Sequence, residues 1–106
     1  MITETIYKNR DNVISVELRS NGIAQAINSA TKITIEFGGA VLSSATATAG
    51  AFDFSTYGSA GRLDMKLGNE DAVKAMRSGQ YKARLTVFDT TYTNGRVWDD
   101  LIIEVK

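Results

Sequence analysis

Gln80-Tyr81-Lys82-Ala83-Arg84-Leu85-Thr86-Val87-Phe88, followed after a turn by Arg96-Val97-Trp98-Asp99-Asp100-Leu101-Ile102-Ile103-Glu104-Val105, decides the fold class. Tyr81, Ala83, Leu85 and Val87 fall on one side of an extended backbone and Lys82, Arg84 and Thr86 on the other, the period of a half-buried strand. Leu101, Ile103 and Val105 repeat that period. In an antiparallel pair, opposed residues share a face. A two-residue Asn94-Gly95 turn sets Leu85 against Glu104 and breaks the pattern. A three-residue loop, Thr93-Asn94-Gly95, sets Leu85 against Ile103 and Val87 against Leu101, with Gly95 free to take the left-handed position such loops use. The alternation therefore predicts a hairpin closed by three residues.

That register has two consequences. Phe88, Trp98 and Ile102 fall on the outer face beside Arg84, Thr86 and Glu104, either as an interaction patch or as a surface covered by another segment of the chain. Asp89 and Asp99 become opposed on the inner side near the end of the sheet. Two carboxylates so placed repel unless separated, protonated or bridged by a cation, which makes them weak candidates for a metal site with Asp100 adding oxygen. No Asp-rich loop of ion-binding spacing accompanies them, so a solvated sheet rim is the favoured reading.

Outward from this pair the period of two recurs. Ile14, Val16 and Leu18 alternate with Ser15, Glu17 and Arg19 until Ser20-Asn21-Gly22 turns the chain, and Ala24–Ile27 adds a short extended piece. Ile33, Ile35 and Phe37 alternate up to Gly38-Gly39, and Leu63, Met65 and Leu67 form a further run. Short strands punctuated by turns indicate an antiparallel sandwich or barrel. The stretch Asn69–Met76 is the one helical candidate, with Asn69 as its N-cap, Glu70 and Asp71 in the first turn and Gly79 ending it. Between residues 38 and 61, 18 of 24 residues are Gly, Ala, Ser or Thr, which predicts a flexible segment or weak edge hairpin with ordered islands at Ala40-Val41-Leu42 and Ala51-Phe52-Asp53-Phe54. The alternative is a segment that orders on assembly with a partner.

The chain has 106 residues, the size of one domain, so residues 1–106 are read as a single unit. It contains neither cysteine nor histidine. Disulfides, thiolate metal sites and the usual neutral-pH general base are thereby excluded, and catalysis is left with carboxylates, lysine, tyrosine and hydroxyls. The composition argues against an enzyme and implies no cofactor. Twelve basic and twelve acidic residues balance and intersperse, without the basic stripe that nucleic-acid binding requires. A near-zero net charge does little to oppose association, so homo-oligomerisation is compatible with it. The first residues show no secretory leader, and no apolar run approaches a membrane span.

Ser78-Gly79-Gln80-Tyr81, opening the alternating run that ends at Asp89, resembles the start of the penultimate strand of immunoglobulin-like domains. The resemblance implies an immunoglobulin-like antiparallel β-sandwich with one short helical crossing near residues 69–76, and a corner in which the Tyr81 hydroxyl bonds back across the preceding connection. The order of Asp11-Asn12-Val13-Ile14, Ser20-Asn21-Gly22-Ile23-Ala24, Ile27-Asn28-Ser29-Ala30-Thr31 and Asn94-Gly95-Arg96-Val97-Trp98-Asp99 is similar to that in small immunoglobulin-like proteins encoded among phage tail and baseplate genes, including the N-terminal domain of upper baseplate proteins. This likeness implies a non-enzymatic adaptor in a phage or prophage virion, assembled in the host bacterial cytoplasm and bound to other virion proteins. The chain departs from that group in its Gly/Ala/Ser/Thr-rich middle, its lack of proline and the absence of a long helix after the domain. The competing expectation is a carbohydrate-binding or adhesion domain on the same fold, with Tyr57, Tyr92 and Trp98 stacking on sugar rings near Asp99 and Asp100.

Overall fold

The computed structural model describes residues 2–106, and these form an all-β fold. In chain order the elements are β1 (Ile2–Ile6), β2 (Ile14–Glu17), β3 (Arg19–Ser20), β4 (Ile23–Ala24), β5 (Lys32–Phe37), β6 (Ala40–Ser43), β7 (Phe52–Asp53), β8 (Arg62–Met65), α1 (Asp71–Lys74), β9 (Gly79–Phe88) and β10 (Arg96–Val105). One sheet has the order β1-β10-β9-β5-β6, a second has the order β2-β8-β7, and β3 and β4 form a separate two-stranded ribbon. Every pairing is antiparallel except that of β1 with β10, which sets Ile2 beside Leu101 and Ile6 beside Val105 in parallel.

The core follows from the alternation. Ile33, Ile35 and Phe37 of β5, Ala83, Leu85 and Val87 of β9, and Leu101, Ile103 and Val105 of β10 are buried from the first sheet. Ile14 and Val16 of β2 and Leu63 and Met65 of β8 come from the second, and all belong to one cluster. Leu18, Ile27, Leu67 and Val73 complete it from the connections. Two sheets sharing one core bury what neither could bury alone.

The register of the last two strands differs from the sequence expectation. Val87 pairs with Arg96 and Leu85 with Trp98, then the ladder shifts between Trp98 and Leu101 so that Ala83 pairs with Leu101 and Tyr81 with Ile103. The connection runs through Asp89–Gly95 instead of closing in three residues, with Gly95 at φ 84°. The observed offset for Leu101–Val105 differs from the expected one by an even number of residues, which leaves the same side chains inward. Alternation alone cannot separate the two registers.

The helix also differs. It is shorter than the Asn69–Met76 span, and Glu70, not Asn69, is its N-cap. Asn69 instead sends its amide to Asp11 Oδ1 at 2.7 Å, across to the loop after β1. Glu70 is only 9% exposed, and its carboxylate accepts the Thr48 amide at 3.2 Å and the Thr48 hydroxyl at 2.7 Å. That pair holds the small-residue stretch 38–61 to the body. This stretch, expected to be flexible, carries β6 and β7 at the two anticipated islands and buries Leu42 and Ala51. The Ser44 hydroxyl accepts the Ile33 amide and the Ala51 carbonyl accepts the Lys66 amide, adding two more ties.

At the same end the Tyr81 hydroxyl donates to the Arg77 carbonyl at 2.6 Å, tying the start of β9 to the connection before it. Gly68 fits because a Cβ there would collide with the Tyr7 carbonyl oxygen. Two substitutions measure these ties in urea denaturation. Glu70→Ala strands the Thr48 donors and is expected to cost about 2 kcal/mol, the scale of hydrogen bonds to a charged group. Tyr81→Phe removes one neutral hydrogen bond and is expected to cost about 1 kcal/mol. Unchanged midpoints in both would mean that neither contact holds its connection.

Candidate functional site

Three connections emerge at one end of the sandwich. The register sets Glu17 against Arg62 and Lys32 against Phe88, which brings together the segment 18–31 with its β3–β4 hairpin, the segment 54–61 and the segment 89–95. Local chemistry shapes each one. Asn21 and Gly22 both have positive φ, at 52° and 76°, the conformation of a type I′ hairpin turn, and Ile23 beside them is 67% exposed. Asp53 Oδ1 accepts the Ser55 and Thr56 amides, each at 3.1 Å, and starts the second connection. Asp89 does the same for the third, accepting the Thr91 amide at 2.9 Å and the Tyr92 amide at 2.6 Å.

The connections are joined to each other. The Ile27 amide donates to the Gly58 carbonyl at 2.8 Å, and a Cβ on Gly58 would sit 2.9 Å from the Asn28 backbone. The Trp98 indole N–H donates to the Arg19 carbonyl at 2.9 Å, which ties the hairpin to β10. Arg96 lies at the centre: its guanidinium is 4.5 Å from the Tyr92 ring centre and 5.5 Å from that of Trp98. It also reaches Gln25 Oε1 at 3.4 Å and Asp89 Oδ2 at 3.7 Å, while its Nε is buried without a partner.

Charge at this end is largely consumed internally. Arg19 pairs with Glu17 at 2.7 Å, Arg62 with Asp64 at 2.7 Å, and Arg96 with Asp89. The hydrogen bond from Arg62 holds the Asp64 carboxyl below its usual pKa, and Asp64 in turn raises that of Arg62. Among the large apolar and aromatic side chains Ile23, Tyr57 at 47%, Tyr92 at 48% and Val97 at 54% remain exposed, beside exposed polar residues such as Asn21, Thr56 and Thr91. Each tyrosine ring has one face against a guanidinium, Tyr57 against Arg62 at 4.2 Å and Tyr92 against Arg96 at 4.5 Å. Such rings are rigid anchors with little side-chain freedom left to lose on contact.

The residues singled out from sequence are distributed differently from the expectation. Trp98 opposes Leu85 and turns toward the core, because the irregularity at Asp99-Asp100 inserts a residue and reverses the faces before it. Val97 takes the outer position beside Thr86. Phe88 stays outward, with the Lys32 ammonium 4.5 Å from its ring centre, and Ile102 lies between Lys82 and Thr3. Phe88, Trp98 and Ile102 therefore form no common patch. Asp89 and Asp99 are not opposed either: Asp89 serves its own turn and Arg96, while Asp99 lies in the irregular step across from Arg84. For sugar stacking, Trp98 is withdrawn by its bond to Arg19. The loop-end cluster was missed as a site because it depends on three connections distant in sequence.

A broad open groove of about 410 Å3 crosses the outer face of the five-stranded sheet, lined by Glu36, Val41, Lys82, Arg84 and Asp99. Its two acids and two bases balance.

The turn at Asp53 generates a pH prediction. The Thr56 amide, chiefly, holds the Asp53 carboxyl below the ordinary aspartate value of 3.8. A depressed folded-state pKa means that the turn is fully held above about pH 4 and released as pH falls through the lower folded value. The Thr56 amide chemical shift is expected to titrate with a midpoint below 3.8 and to lose that titration in Asp53→Asn. A midpoint at or above 3.8 would contradict the hydrogen-bonded turn. No protein-family model matches the chain, and no curated protein matches it.

Proposed function

We propose that the chain is a non-enzymatic adaptor module of a phage or prophage virion, in the tail or baseplate, that works by protein–protein contacts on an immunoglobulin-like sandwich. Support for the sandwich comes from strand order. The division into β2-β8-β7 and β10-β9-β5-β6 corresponds to B-E-D and G-F-C-C′ when strands are lettered in chain order, with β1 added beside the last strand. The Tyr81 bond to Arg77 sits where the tyrosine corner of such domains belongs.

The observation that carries the functional reading is the loop end around Arg96. Its charges are mutually paired, its tyrosines are held on one face, and Ile23, Tyr57, Tyr92 and Val97 are left outward. Depletion of free charge with enrichment in Tyr is the composition of protein interface cores. The link to a virion rests on the resemblance of the sequence to phage tail and baseplate modules.

The test is mass spectrometry of phage particles induced from the strain that encodes the chain. Its peptides are expected at stoichiometric levels in intact particles. Their absence from particles while the protein is expressed would overturn the virion reading. In particles that contain it, Tyr92→Ala is expected to reduce incorporation roughly tenfold or more, the scale of losing an aromatic hot spot. Unchanged incorporation would remove the loop end from the contact.

A further inference from the structure

The second sheet is open along one side of β2. That strand bonds to β8 on its other flank, and β1, which begins nearby, is committed to β10 in the opposite sheet. The Leu18 amide donates to the Gly61 carbonyl at 2.8 Å, toward the β8 side. Alternation then directs the backbone groups of Ser15 and Glu17 to the open side. Unpaired strand edges of this kind are templates for an added strand.

A crevice of about 110 Å3 opens at the same edge, lined by Ile2, Val16, Leu18, Leu85, Leu101 and Trp98, with Glu17, Arg19 and Asp100 at its rim. Val16, Leu18, Leu85 and Leu101 are core residues, so the crevice reaches between the two sheets. It is far below the ~300–1,000 Å3 that a drug-sized ligand occupies, and it admits a single aliphatic side chain. An extended strand laid along β2 presents every second side chain to it.

The rim adds a charge preference. Arg19 is engaged by Glu17 at 2.7 Å, whereas among the described residues Asp100 has no cation within ion-pair distance. Among the described residues the rim therefore presents two acids, Glu17 and Asp100, and one base, Arg19, a negative balance that a basic residue complements.

The geometry points to the open edge of β2, at Ser15 and Glu17, as the docking site for an extended segment of a partner protein, which adds as a strand, seats one aliphatic side chain in the crevice against Trp98 and faces Asp100 with a lysine or arginine. This surface adjoins the loop end through Arg19 and Trp98 but includes neither Tyr57 nor Tyr92, so either reading can fail without the other.

Trp98 is the chain's one tryptophan and lines the crevice, so its fluorescence reports occupancy. The purified full chain is titrated with the blocked peptide Val-Lys-Leu-Lys-Val, alongside Val-Glu-Leu-Glu-Val and Val-Lys-Pro-Lys-Val. Saturable change is expected with the first peptide, at least tenfold weaker binding with the glutamate peptide, and none with the proline peptide, which cannot continue a strand. Asp100→Lys, at an exposed position, is expected to reverse the preference between the lysine and glutamate peptides. Ile2→Phe, which fills the mouth of the crevice, is expected to weaken the lysine peptide at least tenfold, while Tyr92→Ala leaves its binding unchanged. The proposal is overturned by no saturable change with any peptide, or by equal binding of all three. It is equally overturned if sedimentation shows that the chain dimerises through this edge and Asp100→Lys abolishes the dimer, since the occupant is then a second copy.

Discussion

The step in β10 between Trp98 and Leu101 is the constraint on which the arrangement of the loop end depends. Beyond it, Leu101, Ile103 and Val105 face the core and pair with both β9 and β1. Before it, the extra residue reverses the alternation, so that Arg96 and Trp98 turn inward and Val97 turns out. Without that reversal Trp98 would stand on the outer face, its bond to Arg19 would be lost and the β3–β4 hairpin would have no tether to β10. Asp99 and Asp100 occupy the irregular step itself, where neither is required to enter the core.

The inward turn of Arg96 carries a cost that its neighbours offset. A guanidinium drawn partly out of water needs charge and acceptors around it. Asp89 and Gln25 supply them, and the rings of Tyr92 and Trp98 add their faces. The same contacts fix the path of residues 89–95, because Asp89 is at once the partner of Arg96 and the acceptor for two amides of its own turn. Arg96 thus couples the third connection, through its ion pair with Asp89, to the first, through its hydrogen bond to Gln25. This explains how a polar, turn-rich segment can hold Tyr92 in a defined position.

Much of the strand framework was legible in the sequence, because a period of two in Ile14–Leu18, Ile33–Phe37, Leu63–Leu67 and the last two strands reports directly which side chains are buried. The register of β9 with β10 was not, since shifts by even numbers preserve every face. Its signals were present but local: Asp89 two and three residues before amides it could accept, and the Asp99-Asp100 doublet interrupting the alternation. β1 was passed over because its Ile2 and Ile6 are too few to establish a period, and its parallel partner lies at the far end of the chain. The hold of Glu70 on Thr48 could not be read from either segment alone, being a contact across 22 positions. The candidate site was the least legible part for the same reason: Arg19, Gln25, Asp89, Arg96 and Trp98 meet only once the sheets are assembled.

The way β1 joins the first sheet explains why the sandwich is unevenly sealed. Its parallel pairing completes the ladder beside β10, but leaves β2 without a hydrogen-bonded strand on its outer flank. Free edges in β proteins are commonly blunted by shortness or charge. β7 has two residues, and at β2 the Glu17–Arg19 pair stands on the rim. Yet the gap beside β2 descends to Leu85 and Leu101, and Ile2 and Trp98 flank it without closing it. The crevice, the outward backbone groups of Ser15 and Glu17 and an acid at Asp100 with no cation within ion-pair distance among the described residues coincide at this one edge, and a proposed added strand would be selected by all three together.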